Sequence, residues 1–243
     1  MKRTGLVLLS IWLICLGTSC VTPGRAALLS QNDTIALVAV AANWDINWKD
    51  EEPINPGLVG AHARRALQAD PDLTVISNSE ELINTAEMLF RETMADSGLI
   101  NLADKETFLL SRAYQDARLN RHQVNNEYVS ADGYRLVDFR DKNFSQALAA
   151  ETGIQRSMFV EFNFTKTMRS GFGKNGDGGA DVDMRVVVLD SGGRVLYRKV
   201  FSVRSISSIR VSGGRYSRSG LIQLFESAIA DAAYEFLYHL EDW

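Results

Sequence analysis

A glycine-rich stretch at residues 171–176 is the first place where residue spacing suggests chemistry. Gly171, Gly173 and Gly176 satisfy the pattern G-x-G-x-x-G. In a dinucleotide site the third glycine opens a helix whose N-terminal amides face the pyrophosphate. Here the glycines lead instead into Asp177 and a stretch with strand-like alternation. The pattern therefore predicts a flexible hairpin tip rather than a phosphate-binding loop.

Three aspartates near these glycines could supply oxygen ligands to a metal ion. Asp177, Asp181 and Asp183 do not follow the spacing of an EF-hand loop, and we expect the last two to point outward from a strand. Histidine pairs such as H-E-x-x-H are absent from the sequence. We therefore expect neither a metal site nor a cofactor.

The run DSGG at residues 190–193 resembles the nucleophile loop of trypsin-like proteases. A nucleophilic serine needs a histidine base that a carboxylate orients. The chain has three histidines, His62, His122 and His239, and none lies in the surroundings typical of that family. Leu189 also stands where the family has a glycine. The run predicts a turn, and we expect the protein not to be an enzyme.

Cys20 carries the strongest chemical signal in the chain. Lys2 and Arg3 precede an apolar run at residues 6–16, and small residues at 17–19 lead directly to the cysteine. The apolar run is shorter than the roughly 20 residues that a membrane-spanning helix needs. The pattern is typical of an export signal over residues 1–19.

The end of this signal resembles the lipobox of bacterial lipoproteins, in which the thiol of the first mature residue receives a diacylglycerol group. Gly17 stands at the position that usually holds leucine, and Leu16 lies one residue earlier. The resemblance implies lipidation of Cys20 and attachment to a membrane through an acyl anchor. The alternative is an ordinary secretory signal that happens to end at a cysteine. Because Cys15 leaves with the signal, the mature chain would have no disulfide.

Composition narrows the class of protein. The chain has 243 residues, of which 46% are hydrophobic and 23% are charged, as in ordinary globular proteins. The formal net charge of −4 argues against nucleic acid as a partner. We expect residues 20–33 to be a tether and residues 34–243 to form a single domain with a long insertion around 42–78.

Hydrophobic periodicity predicts an α/β (α+β) fold with a mixed β-sheet, helices packed on it and a long C-terminal helix over the sheet. The stretch at 44–48 alternates like a strand, so it either continues the first strand past a kink or forms an irregular loop. We predict strands at 34–40, 73–76, 134–138, 158–168, 181–190 and 194–204, and helices at 58–70, 80–97, 105–120, 143–152 and 221–240.

The run from about Tyr134 to Leu240 resembles a group of bacterial envelope lipoproteins and translocation proteins. The group includes the curli-secretion channel lipoprotein, the outer-membrane activators of penicillin-binding proteins and the N-terminal domain of the Tol translocation protein. The matching segments are 147–154 with 158–160, the hairpin 188–197, and 34–40 as a first strand. The resemblance implies the fold and a location in the bacterial cell envelope, facing the periplasm or at the outer membrane.

Two surface features are candidates for binding. Four arginines, which we call the arginine quartet, lie in a serine- and glycine-rich segment and could contact phospholipid headgroups or an acidic patch of a partner. Two tryptophans are either core residues or, if exposed, anchors for a partner. The quartet is Arg204, Arg210, Arg215 and Arg218, and the tryptophans are Trp44 and Trp48.

These features favour a lipid-anchored module that binds an envelope protein and catalyses nothing. The second hypothesis is a subunit of an outer-membrane secretion or pore assembly, with the hairpin at 158–190 and the alternation at 44–48 as the candidate membrane segments. An envelope enzyme is the third and least favoured hypothesis, because no nucleophile, metal or phosphate site is complete.

Overall fold

The computed structural model describes residues 34–49, 76, 78–125, 128–172, 175–212 and 215–241. The signal at 1–19, the tether at 20–33 and the predicted helix at 58–70 lie outside these residues, as does the predicted strand at 73–76 except for Ile76. Seven strands are present: β1 (Thr34–Asn43), β2 (Asn101–Leu102), β3 (Tyr128–Ser130), β4 (Arg156–Phe172), β5 (Asn175–Asp190), β6 (Val195–Arg204) and β7 (Ile209–Val211). The helices are α1 (Glu80–Ser97), α2 (Lys105–Leu109), α3 (Arg112–Gln115), α4 (Arg121–Asn125), α5 (Lys142–Thr152) and α6 (Arg218–Glu241).

The strands form one mixed sheet with the order β2-β1-β4-β5-β6. β1 runs parallel to β2 and β4, whereas β4, β5 and β6 are successive antiparallel neighbours. β3 pairs with the end of β1, and β7 pairs with β5 beyond the end of β6. This arrangement confirms the predicted α+β class with its mixed sheet and C-terminal helix.

Helices cover both faces of the sheet. Phe164 of β4 packs edge-on against Phe225 of α6, with 5.6 Å between the ring centroids. Phe159 points to the opposite face, because successive strand residues alternate, and it contacts Phe144 of α5 at 6.4 Å. β1 lies between these layers and is buried over eight consecutive residues, which explains its continuous apolar run.

The predicted helix at 105–120 is wrong in its continuity. The chain forms two short helices instead, and Ser111 caps the second by accepting a hydrogen bond from the backbone N–H of Tyr114 at 3.2 Å. The predicted strand at 134–138 is also wrong. That segment is irregular apart from a bridge between Val137 and Leu119, and the strand of this region is β3, in a stretch whose polar residues predict turns.

Two glycine-related predictions have different outcomes. Gly98 ends α1 in the left-handed conformation with φ of 62°, as predicted. The glycine-rich stretch after residue 168, in contrast, is mostly strand, because β4 and β5 remain paired to Phe172 opposite Asn175. Residues 173–174, at the tip, lie outside the described residues.

Candidate functional site

The sequence-predicted binding residues meet at one end of the sheet, which we call the distal end: described residues 44–49, 164–172, 175–182, 204–212 and 215–218. β1 pairs with β4 only as far as Phe162. Beyond that point the Asn43 side chain takes the place of a strand partner, since its Oδ1 accepts from the Phe164 N–H at 2.8 Å. The Lys49 N–H then donates to the Lys166 carbonyl at 2.8 Å. The stretch 44–48 therefore continues beside β4 past a kink.

The two tryptophans in this stretch have different environments. Trp44 is buried with 6% of its surface exposed, so its indole offers no surface to a partner. Trp48 is half-buried and meets Tyr216 edge-on at 6.0 Å. Its ring also lies over Gly178, where an added Cβ would be 3.2 Å from Trp48 Cη2 and 2.8 Å from a Val211 methyl. Glycine at 178 is what allows this close approach.

Lys166 is a buried cation that sequence reasoning missed. Only 4% of its surface is exposed, and its ammonium donates to the Ile76 carbonyl at 3.1 Å. The ammonium also lies 5.6 Å from the Trp48 ring and 5.9 Å from the Tyr216 ring. Carbonyl and aromatic contacts of this kind offset part of the cost of burying a charge. The sequence did contain one indication of this burial. Lys166 lies two and four residues after Phe164 and Phe162 in β4, so it faces the same side of the sheet as these two side chains.

Three members of the arginine quartet form ion pairs. The Arg204 Nε lies 3.0 Å from the Asp181 carboxylate, which Lys49 also approaches at 3.6 Å. Arg210 lies 3.7 Å from Asp177. Arg218 pairs with Glu81 at the start of α1. Arg215 has no ion pair with a carboxylate of the described residues.

These ion pairs do not remove the arginines from the surface. Exposed pairs contribute about 0–1 kcal/mol to stability, so a stronger anion can displace the carboxylates. The side chain of Arg210 remains 78% exposed and that of Arg204 remains 59% exposed. The distal end therefore carries accessible guanidinium groups that neighbouring carboxylates hold in position.

Two of the three aspartates near the glycines, Asp177 and Asp181, bind side chains of the protein, whereas Asp183 is half-buried in β5. Asp177 accepts a hydrogen bond from the Ser170 hydroxyl at 2.7 Å in addition to its pair with Arg210. Asp181 pairs with Arg204 and Lys49, as described. Within the described ranges, no group of three or more His, Cys, Asp or Glu side chains is placed to hold a metal ion.

Arg169 ties the β4–β5 hairpin to the start of the quartet segment. It is the extra residue of a β-bulge, because β4 shifts register against β5 between Met168 and Ser170. Its guanidinium donates to the Ser205 hydroxyl at 2.8 Å and to the Ile206 carbonyl at 2.9 Å. The side chain crosses Gly179, where an added Cβ would lie 2.4 Å from Nε. The bulge could not be predicted from sequence.

The DSGG run forms a turn between β5 and β6, as predicted. The Asp190 carboxylate accepts hydrogen bonds from the N–H groups of Gly192 and Arg194, both at 2.9 Å, and from Arg194 Nε at 2.7 Å. Partial burial raises the pKa of Asp190, but these hydrogen bonds outweigh that effect and lower it overall.

A second polar cluster lies away from the distal end and joins α1 to the loops beside it. Glu87 is buried, and its carboxylate meets Arg91 at 2.6 Å and Lys105 at 3.0 Å. The Tyr134 hydroxyl donates to Glu87 at 3.1 Å and accepts from Arg91 at 2.7 Å. Burial raises the pKa of Tyr134, so the phenol keeps its proton near neutral pH. Each of these polar groups has a partner within the cluster. The cluster therefore holds α1 to Lys105 and Tyr134 and has a structural role.

No protein-family model matches this sequence, and no curated protein matches it either. Among solved structures, the LpoB C-terminal domain from Salmonella enterica aligns over 75% of this chain and 93% of that chain, at 11% identity and a TM-score of 0.27. The LpoB C-terminal domain from Escherichia coli aligns over the same shares at 12% identity and a TM-score of 0.27. Likenesses of this size carry no argument about function.

None of the helices in the described part of the chain is both long enough and apolar enough to cross a bilayer.

Proposed function

We propose that this chain is a lipid-anchored module of the bacterial cell envelope that binds another envelope component and catalyses no reaction. The observation that carries the proposal is the export signal ending at Cys20, followed by a folded body whose described residues begin at Thr34. An extended chain spans about 3.3–3.6 Å per residue, so residues 21–33 reach at most roughly 45 Å. Thr34, the first described residue of the body, would lie within that distance of the anchoring membrane.

Thr34, where the tether would join the body, lies at the opposite end of β1 from the arginine quartet. Thr34 starts β1 next to Asn101, whereas the distal end lies past the other end of β1. Ten strand residues separate these ends by about 33 Å. The tether therefore joins the body at the end opposite the arginine quartet. With the tether extended, the quartet would face away from the anchoring membrane, where it could meet an acidic surface of an envelope protein.

Lipid labelling in cells tests the anchor. Replacing Cys20 with serine removes the acylated thiol, so labelled palmitate should no longer enter the protein and the body should leave the membrane fraction. Cys15→Ser is the matched control, because that cysteine lies in the cleaved signal and its loss should leave labelling intact. A wild-type protein that takes up no palmitate would contradict the anchor.

A subunit of a secretion or pore assembly is the second candidate. The observation in its favour is the β4–β5 hairpin, which stays paired from Arg156 opposite Asp190 to Phe172 opposite Asn175, well beyond the end of β1. Light scattering on the detergent-solubilised protein separates the candidates. A monomer or dimer supports the binding module, and a large ring supports the assembly subunit.

A further inference from the structure

Among the residues that the structure describes, the outer edge of β6 is an open edge of the sheet. β6 pairs with β5 along its length, and no other strand of the described residues pairs with it. Val200, in the middle of the strand, is 46% exposed. A strand edge of this length presents a row of backbone donors and acceptors that another extended chain can pair with.

The register identifies which residues face outward along this edge. The Ser205 N–H donates to the Ala180 carbonyl at 2.8 Å, so these two residues form a hydrogen-bonded pair. Such pairs alternate with non-bonded pairs along an antiparallel ladder. Residues at 203, 201, 199 and 197 therefore bond to β5. The outward backbone groups belong to Arg198, Val200, Ser202 and Arg204.

Side chains of the outward residues lie on the face of the sheet that α6 leaves uncovered. Tyr197 and Phe201 pack against Phe236 of α6, so the residues between them point the other way. Arg198 lies 5.0 Å from the Phe139 ring on that face. Arginine, valine, serine and arginine thus form one row beside the open backbone groups.

The charged residues of β6 and β7 are all cations, although Asp181 of β5 pairs with Arg204 and Asp177 of β5 pairs with Arg210. Between Asp190 and Glu226 the sequence has no acidic residue. β7 continues the same side of β5 after β6 ends, so β6 and β7 border one continuous edge. Like charges along it oppose pairing between two copies of the chain and favour an acidic partner. The cations of this stretch are Arg194, Arg198, Lys199 and the arginine quartet.

We propose that the outer edge of β6 binds an extended acidic polypeptide segment, which adds to the sheet as a further strand. This inference rests on the proposed role as a binding module and names the chemistry of the partner. Main-chain hydrogen bonds supply affinity in this mode, and alternate side chains supply specificity. The best segment has acidic residues opposite Arg198 and Arg204, with apolar or small residues between them. Phospholipid headgroups could meet the arginines but could not continue the backbone ladder.

A synthetic peptide tests this mode of binding. The probe is a nine-residue threonine-based peptide with glutamate at its second and eighth positions and valine at its fourth and sixth, so it matches the row in either direction. It carries fluorescein, and its anisotropy is followed with the full chain purified in detergent. We expect saturable binding that weakens as salt rises. The same peptide with lysine in place of glutamate should not bind.

A proline variant separates backbone pairing from simple charge attraction. Val200→Pro removes an outward N–H that takes no part in the β5 ladder, and proline is accepted on sheet edges for this reason. It should weaken peptide binding by at least about tenfold. Val200→Ala keeps the N–H and should bind within about twofold to threefold of wild type. Ser202→Pro repeats the test at a second outward position in case Val200→Pro lowers the melting temperature.

The outcomes are distinct. Absence of peptide binding by the wild-type chain overturns the inference, as does equal binding by well-folded proline and alanine variants. Binding to phosphatidylglycerol vesicles without peptide binding overturns it in favour of headgroups. If Cys20 takes up palmitate while the peptide fails to bind, the anchored module stands and strand addition does not. If the peptide binds while Cys20 takes up no palmitate, strand addition stands and the lipid anchor does not.

Discussion

Phe236 is the side chain on which the packing of α6 depends most clearly. It is fully buried and stacks on Phe90 of α1 with ring centroids 6.1 Å apart. It also meets Tyr197 and Phe201 of β6 edge-on at 5.6 Å and 5.8 Å. Burial of about 150–250 Å² at about 25 cal/mol/Å² contributes roughly 4–6 kcal/mol. Because alanine retains part of that area, we expect Phe236→Ala to lower the free energy of unfolding by about 3–5 kcal/mol.

Urea denaturation and thermal melting would measure this loss. For a domain of this size the melting temperature should fall by about 2–4 °C for each kcal/mol. The control is Glu235→Ala, because Glu235 is the exposed neighbour of Phe236 on the same helix and its removal should change the free energy within about 0.5 kcal/mol. Similar small effects from both variants would refute the packing of α6 between α1 and β6.

Two further predictions concern charges. Asp190→Asn should destabilise the β5–β6 turn at neutral pH. Because the folded-state pKa of Asp190 is lowered, its contribution is present above the unfolded pKa and is lost as pH falls through the folded pKa. The unfolding curves of variant and wild type should therefore converge at acid pH, and a constant gap would contradict this. Arg215→Ser should weaken binding to polyglutamate by about fivefold at low salt, and Arg210→Ser by less, because Arg210 must first leave Asp177. Equal losses of affinity in the two variants would mean that the ion pair with Asp177 does not reduce the contribution of Arg210 to binding.

The helices and strands with a regular hydrophobic period were predictable from the sequence. α1 has the predicted bounds, and α6 extends the predicted helix by three residues at its start and one at its end. Each of these helices has an apolar stripe that is buried along most of its length, and such a stripe is a strong sequence signal for an amphipathic helix. The strands β4, β5 and β6 were also predicted, but β4 and β5 extend four and six residues further toward the hairpin tip. Short elements were not predictable, since α2 ends at Leu109 and the next residue but one, Ser111, caps α3 through a single local hydrogen bond.

The distal end was only half predictable because its contacts join distant parts of the chain. The quartet segment has no acidic residue within it, which suggested free cations. The carboxylates that pair with it come from elsewhere: Glu81 is 137 residues from Arg218 in sequence. Lys166 reaches a carbonyl 90 residues away, at Ile76. Hydrophobic periodicity in the sequence indicates which face of a helix or strand a residue occupies. It does not indicate which residue of a distant segment contacts that residue.

Charge segregation is the feature that links the fold to the proposed binding role. The chain has 26 basic and 30 acidic residues, yet no acidic residue lies along the stretch that forms β6 and β7. Solubility alone needs charge of either sign and does not require one sign along one edge. Repulsion between like edges would disfavour pairing of this ten-residue strand with a second copy of the chain. The same cations would lower the energy of an acidic strand at that edge, so one charge pattern would both disfavour self-pairing and favour the proposed partner.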